Sequence, residues 1–224
     1  MCRPLYSLRS LTCLSLTPSV VEESISLEAP VFVSYHPPIF QPLQSLMLSS
    51  PLQASLLRCA AEGISGGVND WLAKGLGKGQ VGALVGEKLD ANGKGEGVEG
   101  RLIVLDEPLP VSQLVDRIKQ HLGLSQVQVG YPSVTGDVRT VAVCARSGGS
   151  MLVGRDADVY LTGEMCHHEV LASVAAGKHV ILCGHTNTER GFLSVLAERL
   201  RKEIQVDGLE VIVSQKDACP LVFA

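Results

Sequence analysis

The chain has 224 residues, 46% of them apolar and 19% charged, a globular balance that excludes wholesale disorder and a fibrous repeat. No apolar run reaches the roughly 18 residues that a membrane-spanning helix needs, and 19 basic against 23 acidic residues leave a formal charge of -4, which argues against nucleic-acid binding by phosphate neutralisation. A soluble protein with protein rather than nucleic-acid partners is expected, and seven cysteines without a C-x-x-C pair point to a reducing compartment instead of a disulfide framework.

In chain order, residues 1–28 read as a disordered leader. The first 21 include Arg3 and Arg9, no acid, and much Leu, Ser and Thr, a composition shared with mitochondrial transit peptides, although no clear amphipathic period runs from Pro4 to Pro18. Val31 to His36 reads as a strand that Pro37-Pro38 stops, delivering a histidine to its end. Gly66-Gly67-Val68-Asn69-Asp70-Trp71-Leu72-Ala73 reads as a glycine turn opening a short helix. Residues 29–74 are therefore assigned to a partial first α/β lobe. Between Gly75 and Gly100 nine of 26 residues are glycine; such a stretch loses much backbone entropy on ordering, so 75–100 reads as a linker or disordered insert.

Residues 101–224 read as a second lobe. A strand at 101–105 precedes Val111, Leu114, Val115, Ile118 and Leu122, which recur at helical spacing. A strand at 139–145, a loop at 146–150, a strand at 158–161 and a helix from His167 to Ala176 follow. Strand 180–183, helix 189–204 and strand 209–213 complete the alternation. The expected class is α/β, with helices packed on largely parallel sheets.

His36, His167, His168 and His185 all fall at or just after strand ends, where open α/β sheets place their ligand sites. Imidazole and carboxylate are ligands for zinc, iron, nickel or manganese, and both His185 with Glu189 and Glu164 with His168 have the i, i+4 spacing of one helix face. Each residue also has a plainer role. Thr186-Asn187-Thr188-Glu189 fits a capping box. His36 suits a hydrogen-bonded strand end, and the pair at 167 and 168 suits neutral hydrogen bonders at a helix N-terminus. His121 and His179 read as surface or strand-entry residues. Ser147-Gly148-Gly149-Ser150 is a weak anion-turn signal without a phosphate-loop pattern, and Cys166 beside His167 is poorly arranged as a nucleophile and base.

Four strings carry more information than spacing: Ser34-Tyr35-His36-Pro37-Pro38-Ile39-Phe40, the Gly66–Ala73 string above, Leu161-Thr162-Gly163-Glu164-Met165-Cys166-His167-His168, and Gly184-His185-Thr186-Asn187-Thr188-Glu189-Arg190-Gly191-Phe192. In this order they resemble the Nif-three-like family, also labelled GTP cyclohydrolase I type 2, in its eukaryotic form. The resemblance is nearly continuous from Gly100 onward and patchy before it. It implies two α/β lobes facing each other across a centre of two divalent metal ions per chain, with zinc, iron or manganese plausible, in a hexameric ring. Matched by motif, His36, His185 and Glu189 are the implied metal ligands, and His167 and His168 are implied to line the centre as catalytic or substrate-contacting groups. The family's bridging aspartate has no counterpart in residues 58–64, where Glu62 is the one nearby carboxylate, so the first lobe reads as shortened. The resemblance implies either a metal-dependent hydrolase or a protein-interaction factor in transcriptional corepression, cytoplasmic with a nuclear share.

Overall fold

Leu11-Thr12-Cys13-Leu14, inside the expected leader, is almost completely buried. An apolar run of this kind marks a strand covered on both faces, as in parallel sheets. The computed structural model describes residues 8–15, 17–27, 29, 31–34, 67–89, 95–204 and 209–219. In chain order the elements are β1 (Leu8–Cys13), α1 (Pro18–Ser26), β2 (Val31–Ser34), α2 (Val68–Lys74), β3 (Gly79–Leu89), β4 (Gly95–Leu109), α3 (Val111–Leu122), β5 (Gln128–Gly130), β6 (Val138–Ser147), α4 (Gly149–Leu152), β7 (Val159–Glu164), α5 (His167–Ala175), β8 (His179–Leu182), α6 (Asn187–Arg190), α7 (Phe192–Glu203) and β9 (Leu209–Val213). They fall into two units, residues 1–45 with 190–224 and residues 46–189.

In the first unit β1 is the middle of a three-stranded parallel sheet, ordered β2-β1-β9. The reading of residues 1–28 as a disordered leader is therefore corrected for the described residues 8–15 and 17–27: β1 is central and α1 packs on it. Thr17 caps α1 with its side chain while Pro18 supplies the fixed φ of a first helical turn. Val20 of α1 packs with Leu11 and Cys13, and α7 places Ala197 and Leu200 against Val33 and Val211. The Glu23 carboxylate accepts from Ser214 Oγ and, at 2.9 Å, from the Gln215 amide, tying α1 to the turn after β9.

The second unit is a six-stranded sheet ordered β3-β4-β6-β7-β8-β5. The pairings β6-β7 and β7-β8 are parallel, and β3-β4, β4-β6 and β5-β8 are antiparallel. The α/β class with helix-flanked sheets holds, with a parallel centre and antiparallel margins. One face packs Leu114 and Ile118 of α3 and Leu72 of α2 over Ile103, Val141 and Ile181. The other packs Leu152 over Ala142, Tyr160 and Val180.

The linker expected at 75–100 is corrected as well, because that stretch contributes to the β3-β4 hairpin. Glycine there serves close approach: a Cβ on Gly79 would collide with the Val104 carbonyl oxygen. The assignment of 101–224 to one lobe also changes, since α7 and β9 belong with residues 1–45. The expected helix 189–204 is interrupted at Gly191, leaving α6 and α7 as separate elements. Asn69 and Asp70, in the glycine-led string, have structural work. Asn69 Oδ1 accepts from the Ala145 amide at 2.8 Å, and Asp70 takes Nε and a terminal nitrogen of buried Arg101 at 2.6 and 2.9 Å.

Candidate functional site

The carboxyl ends of β6, β7 and β8 bring together Arg146 and Ser147, Glu164, and the turn Gly184-His185. The approach is close: a Cβ on Gly163 would lie 2.7 Å from the Arg146 carbonyl oxygen and 2.9 Å from His185 Cα. Short polar side chains then lock the backbone. Thr162 Oγ1 donates to the Arg146 carbonyl at 2.9 Å and accepts from the Gly148 amide at 2.9 Å. Thr188 Oγ1 donates to the His185 carbonyl at 2.7 Å and accepts from the Arg146 amide at 3.0 Å. Asn187 Nδ2 donates to the Cys183 carbonyl at 2.7 Å.

Two charged pairs sit on this frame. His185 Nδ1 lies 2.9 Å from Glu164 Oε2, which also accepts from Ser147 Oγ at 2.8 Å. These bonds from His185 and Ser147 hold the Glu164 carboxyl below its ordinary pKa, so at neutral pH it is an ionised acceptor. Nδ1 is then the donor in this contact, which fixes the orientation of the ring. Glu189 has a fully buried side chain, and its Oε1 accepts from Nε of half-exposed Arg146 at 2.5 Å.

His185 and Glu189 thus reach the same sheet edge with different partners, His185 ahead of α6 and Glu189 inside it. The capping box is not formed. The Glu189 amide donates to the Thr186 backbone carbonyl at 3.2 Å, and Thr186 Oγ1 is buried without a hydrogen-bond partner among the described residues. Glu164 closes β7 and pairs with His185, not with His168. His167 and His168 are exposed on the first turn of α5 with their rings edge to face at 5.9 Å. His167 lines a shallow depression of about 300 Å³ together with Met165, Val170 and Gly130 of the β5 edge. His36 and Glu62 lie outside the described residues.

The remaining candidates are structural. In the Ser147–Ser150 turn the Ser147 hydroxyl donates to Glu164 and the Gly148 amide to Thr162. Cys166 is exposed and its amide donates to Glu169, while burial pushes the Cys183 thiol up to about 12. His121 is half-buried with its ring 4.5 Å from that of Trp71, not a surface residue, and His179 enters β8 as a buried side chain. Arg146 and Ser147 escape sequence reasoning because their roles arise where the β6-β7 register shifts between Cys144 and Ser147.

Among the described residues no three His, Cys, Asp or Glu side chains form a group able to hold a metal. The donors present nonetheless fit part of such a site. A histidine whose Nδ1–H is held by a carboxylate is the usual arrangement behind a metal-binding Nε2, whereas the Glu189 carboxylate is already paired with the Arg146 guanidinium.

Residues 8–220 match the family described as Duf34/NIF3 (NGG1p interacting factor 3). The chain is 41% identical over 231 residues to the Schizosaccharomyces pombe "Protein NIF3 homolog", covering 94% of this chain and 83% of that one. It is 36% identical over 241 residues to the Saccharomyces cerevisiae "NGG1-interacting factor 3", covering 96% and 81%. Its fold is similar to that of a Bacillus cereus protein related to NIF3, with a TM-score of 0.74 at 18% identity over 97% of this chain and 90% of that one.

Proposed function

The chain belongs to the Duf34/NIF3 family, and from that premise we propose that the edge formed by β6, β7 and β8 binds a divalent metal ion. The observation that carries the reading is the chain of contacts His185–Glu164–Ser147, with the buried Glu189 four residues on from His185. In this reading Glu189 contributes the charge and His185 its Nε2, while Glu164 fixes the ring's tautomer and orientation. Zinc, iron and manganese all accept this donor set, and His36 is the proposed further ligand. Such an ion supplies Lewis acidity when bound, the property a hydrolase uses. His167 and His168, exposed on α5, are the proposed groups for substrate contact and proton transfer.

Metal analysis of the purified full chain is the test. The wild type should retain divalent metal through desalting, and His185→Ala should lower that content at least tenfold while Lys202→Ala, at an exposed position on α7, leaves it unchanged. Equal metal content in the His185 and Lys202 variants would remove His185 from the site.

A second reading is a protein-interaction factor in transcriptional regulation with a nuclear share, favoured by the name of the Saccharomyces cerevisiae relative, "NGG1-interacting factor 3". This reading predicts that a protein partner binds wild type and His185→Ala alike. Partner binding lost together with metal would make the metal site part of that interface.

A further inference from the structure

We propose that His121 is an acid-released latch: its neutral ring clamps α2 onto α3, and protonation frees α2 together with the anchor that α2 provides for the end of β6.

The ring is built into the contact. It lies 4.5 Å from the Trp71 ring at a tilt of 38°, and a Cβ on Gly75 would collide with it, so the turn that ends α2 closes directly over the imidazole. One ring nitrogen is used, in a hydrogen bond with the Trp71 backbone. The other, Nε2, is buried without a hydrogen-bond partner among the described residues. A neutral ring places only a lone pair there, whereas the imidazolium would place an N–H and a charge with nothing to receive them. Attraction of the cation to the indole face offsets part of that penalty. The charged groups on the two elements do not offset the rest. Arg117, one turn earlier on α3, donates to the Leu76 carbonyl at 2.9 Å and adds like charge. On α2, Lys74 is exposed, and Asp70, its one carboxylate, is engaged by Arg101. Burial is the larger influence on the ring and holds His121 below the ordinary 6.5.

The latch has something to release. With seven residues, α2 is too short to persist by propensity, and its Asn69 accepts from the Ala145 amide at 2.8 Å, one residue before Arg146, where β6 reaches the candidate site. Loosening α2 therefore loosens that end of β6. The open form binds the proton more tightly than the closed one, so the latch is at full strength above pH 6.5. From there down to the lowered folded value, each pH unit shifts the balance toward the open form by up to about tenfold.

The test is site-resolved amide hydrogen exchange of the full chain by nuclear magnetic resonance, from neutral pH down through the window below 6.5. His121→Phe and His121→Gln, whose side chains take up no proton, are the references, and comparison at equal pH cancels the intrinsic exchange chemistry. Relative to either variant, wild-type protection of the α2 amides and of the Ala145 amide should fall as pH drops below 6.5, by up to about tenfold per unit. Leu161, buried in β7, should keep its protection. Wild-type profiles parallel to those of whichever variant folds would overturn the latch. So would Leu161 losing protection in step with α2, since the acid effect would then be one of global stability. A His121 ring resonance that titrates at or above 6.5 in wild type overturns it without recourse to any variant.

Discussion

An ionised carboxylate away from water needs a cation or several donors beside it, and at Glu189 the Arg146 guanidinium supplies that need in place of a helix cap. Glu189→Gln keeps the side chain's shape and removes its charge. Because Arg146 is half-exposed, its guanidinium turns to water in the variant, so the cost should be about 1 kcal/mol, well below the roughly 3–5 kcal/mol of breaking a pair buried at both ends. Metal content should fall sharply. Thermal melting in chelator together with metal analysis checks both halves, and unchanged metal would leave the Arg146 pair as the residue's supported role.

Single residues also set the acid response. Burial lowers the pKa of His121 and His179 from the ordinary 6.5, so the unfolded chain binds protons first; their contribution is complete above pH 6.5 and is lost as pH falls toward the lowered folded values. Hydrogen bonds from His185 and Ser147 lower Glu164 from 4.5, a contribution complete above that value and lost as pH falls through the folded one. The urea midpoint, read from the single Trp71, should therefore decline between pH 7 and 5.5 and again below 4.5. A midpoint flat from pH 7 to 5.5 would contradict the histidine assignment. His185 and Glu189 were legible in the sequence because they follow a strand end in a recognisable string. Arg146 was not, since its contact joins strands whose relative register no local pattern records.

Elements with strong periodicity were legible to within a residue or two. Helix α3 shows its face through Leu114 and Ile118, and its end through Gly123, left-handed at φ 66°. The β3-β4 hairpin was hidden because glycines needed for backbone approach look the same as glycines in a flexible tether. Helix α2, only seven residues long, is too short to hold by propensity and is pinned by Asp70 on Arg101 and by Asn69 on Ala145. Arg101 is 4% exposed, so Asp70→Ala removes the carboxylate facing a buried guanidinium, which keeps its bond to the Gly100 carbonyl. The expected loss is about 3 kcal/mol, lowering Tm by several degrees in a domain of this size. Differential scanning calorimetry checks it, and a change under about 1 kcal/mol would mean that Arg101 finds water or another acceptor.

At the scale of the whole molecule, the chain's two ends share one sheet: β1 pairs with β9, and Arg9 reaches Glu210 at 2.9 Å across 201 residues of sequence. Residues 46–189 are by contrast continuous in sequence, so their core closes without waiting for either terminus. A fragment of residues 46–191 should therefore unfold cooperatively in urea, with the Trp71 emission of the full chain. A fragment of residues 101–224, which the regular alternation of that half suggests as a domain, should not. It lacks Leu72 and Leu76, which are buried in the main core; it leaves Arg101 without Asp70; and it removes β1, the strand on which β9 pairs. Each loss acts on a different part of the fragment, so their costs should add and together exceed the net stability that a domain of this size has to spare. Circular dichroism and gel filtration of the two fragments decide the matter. Cooperative unfolding of 101–224 as a compact monomer would restore the boundary near residue 100.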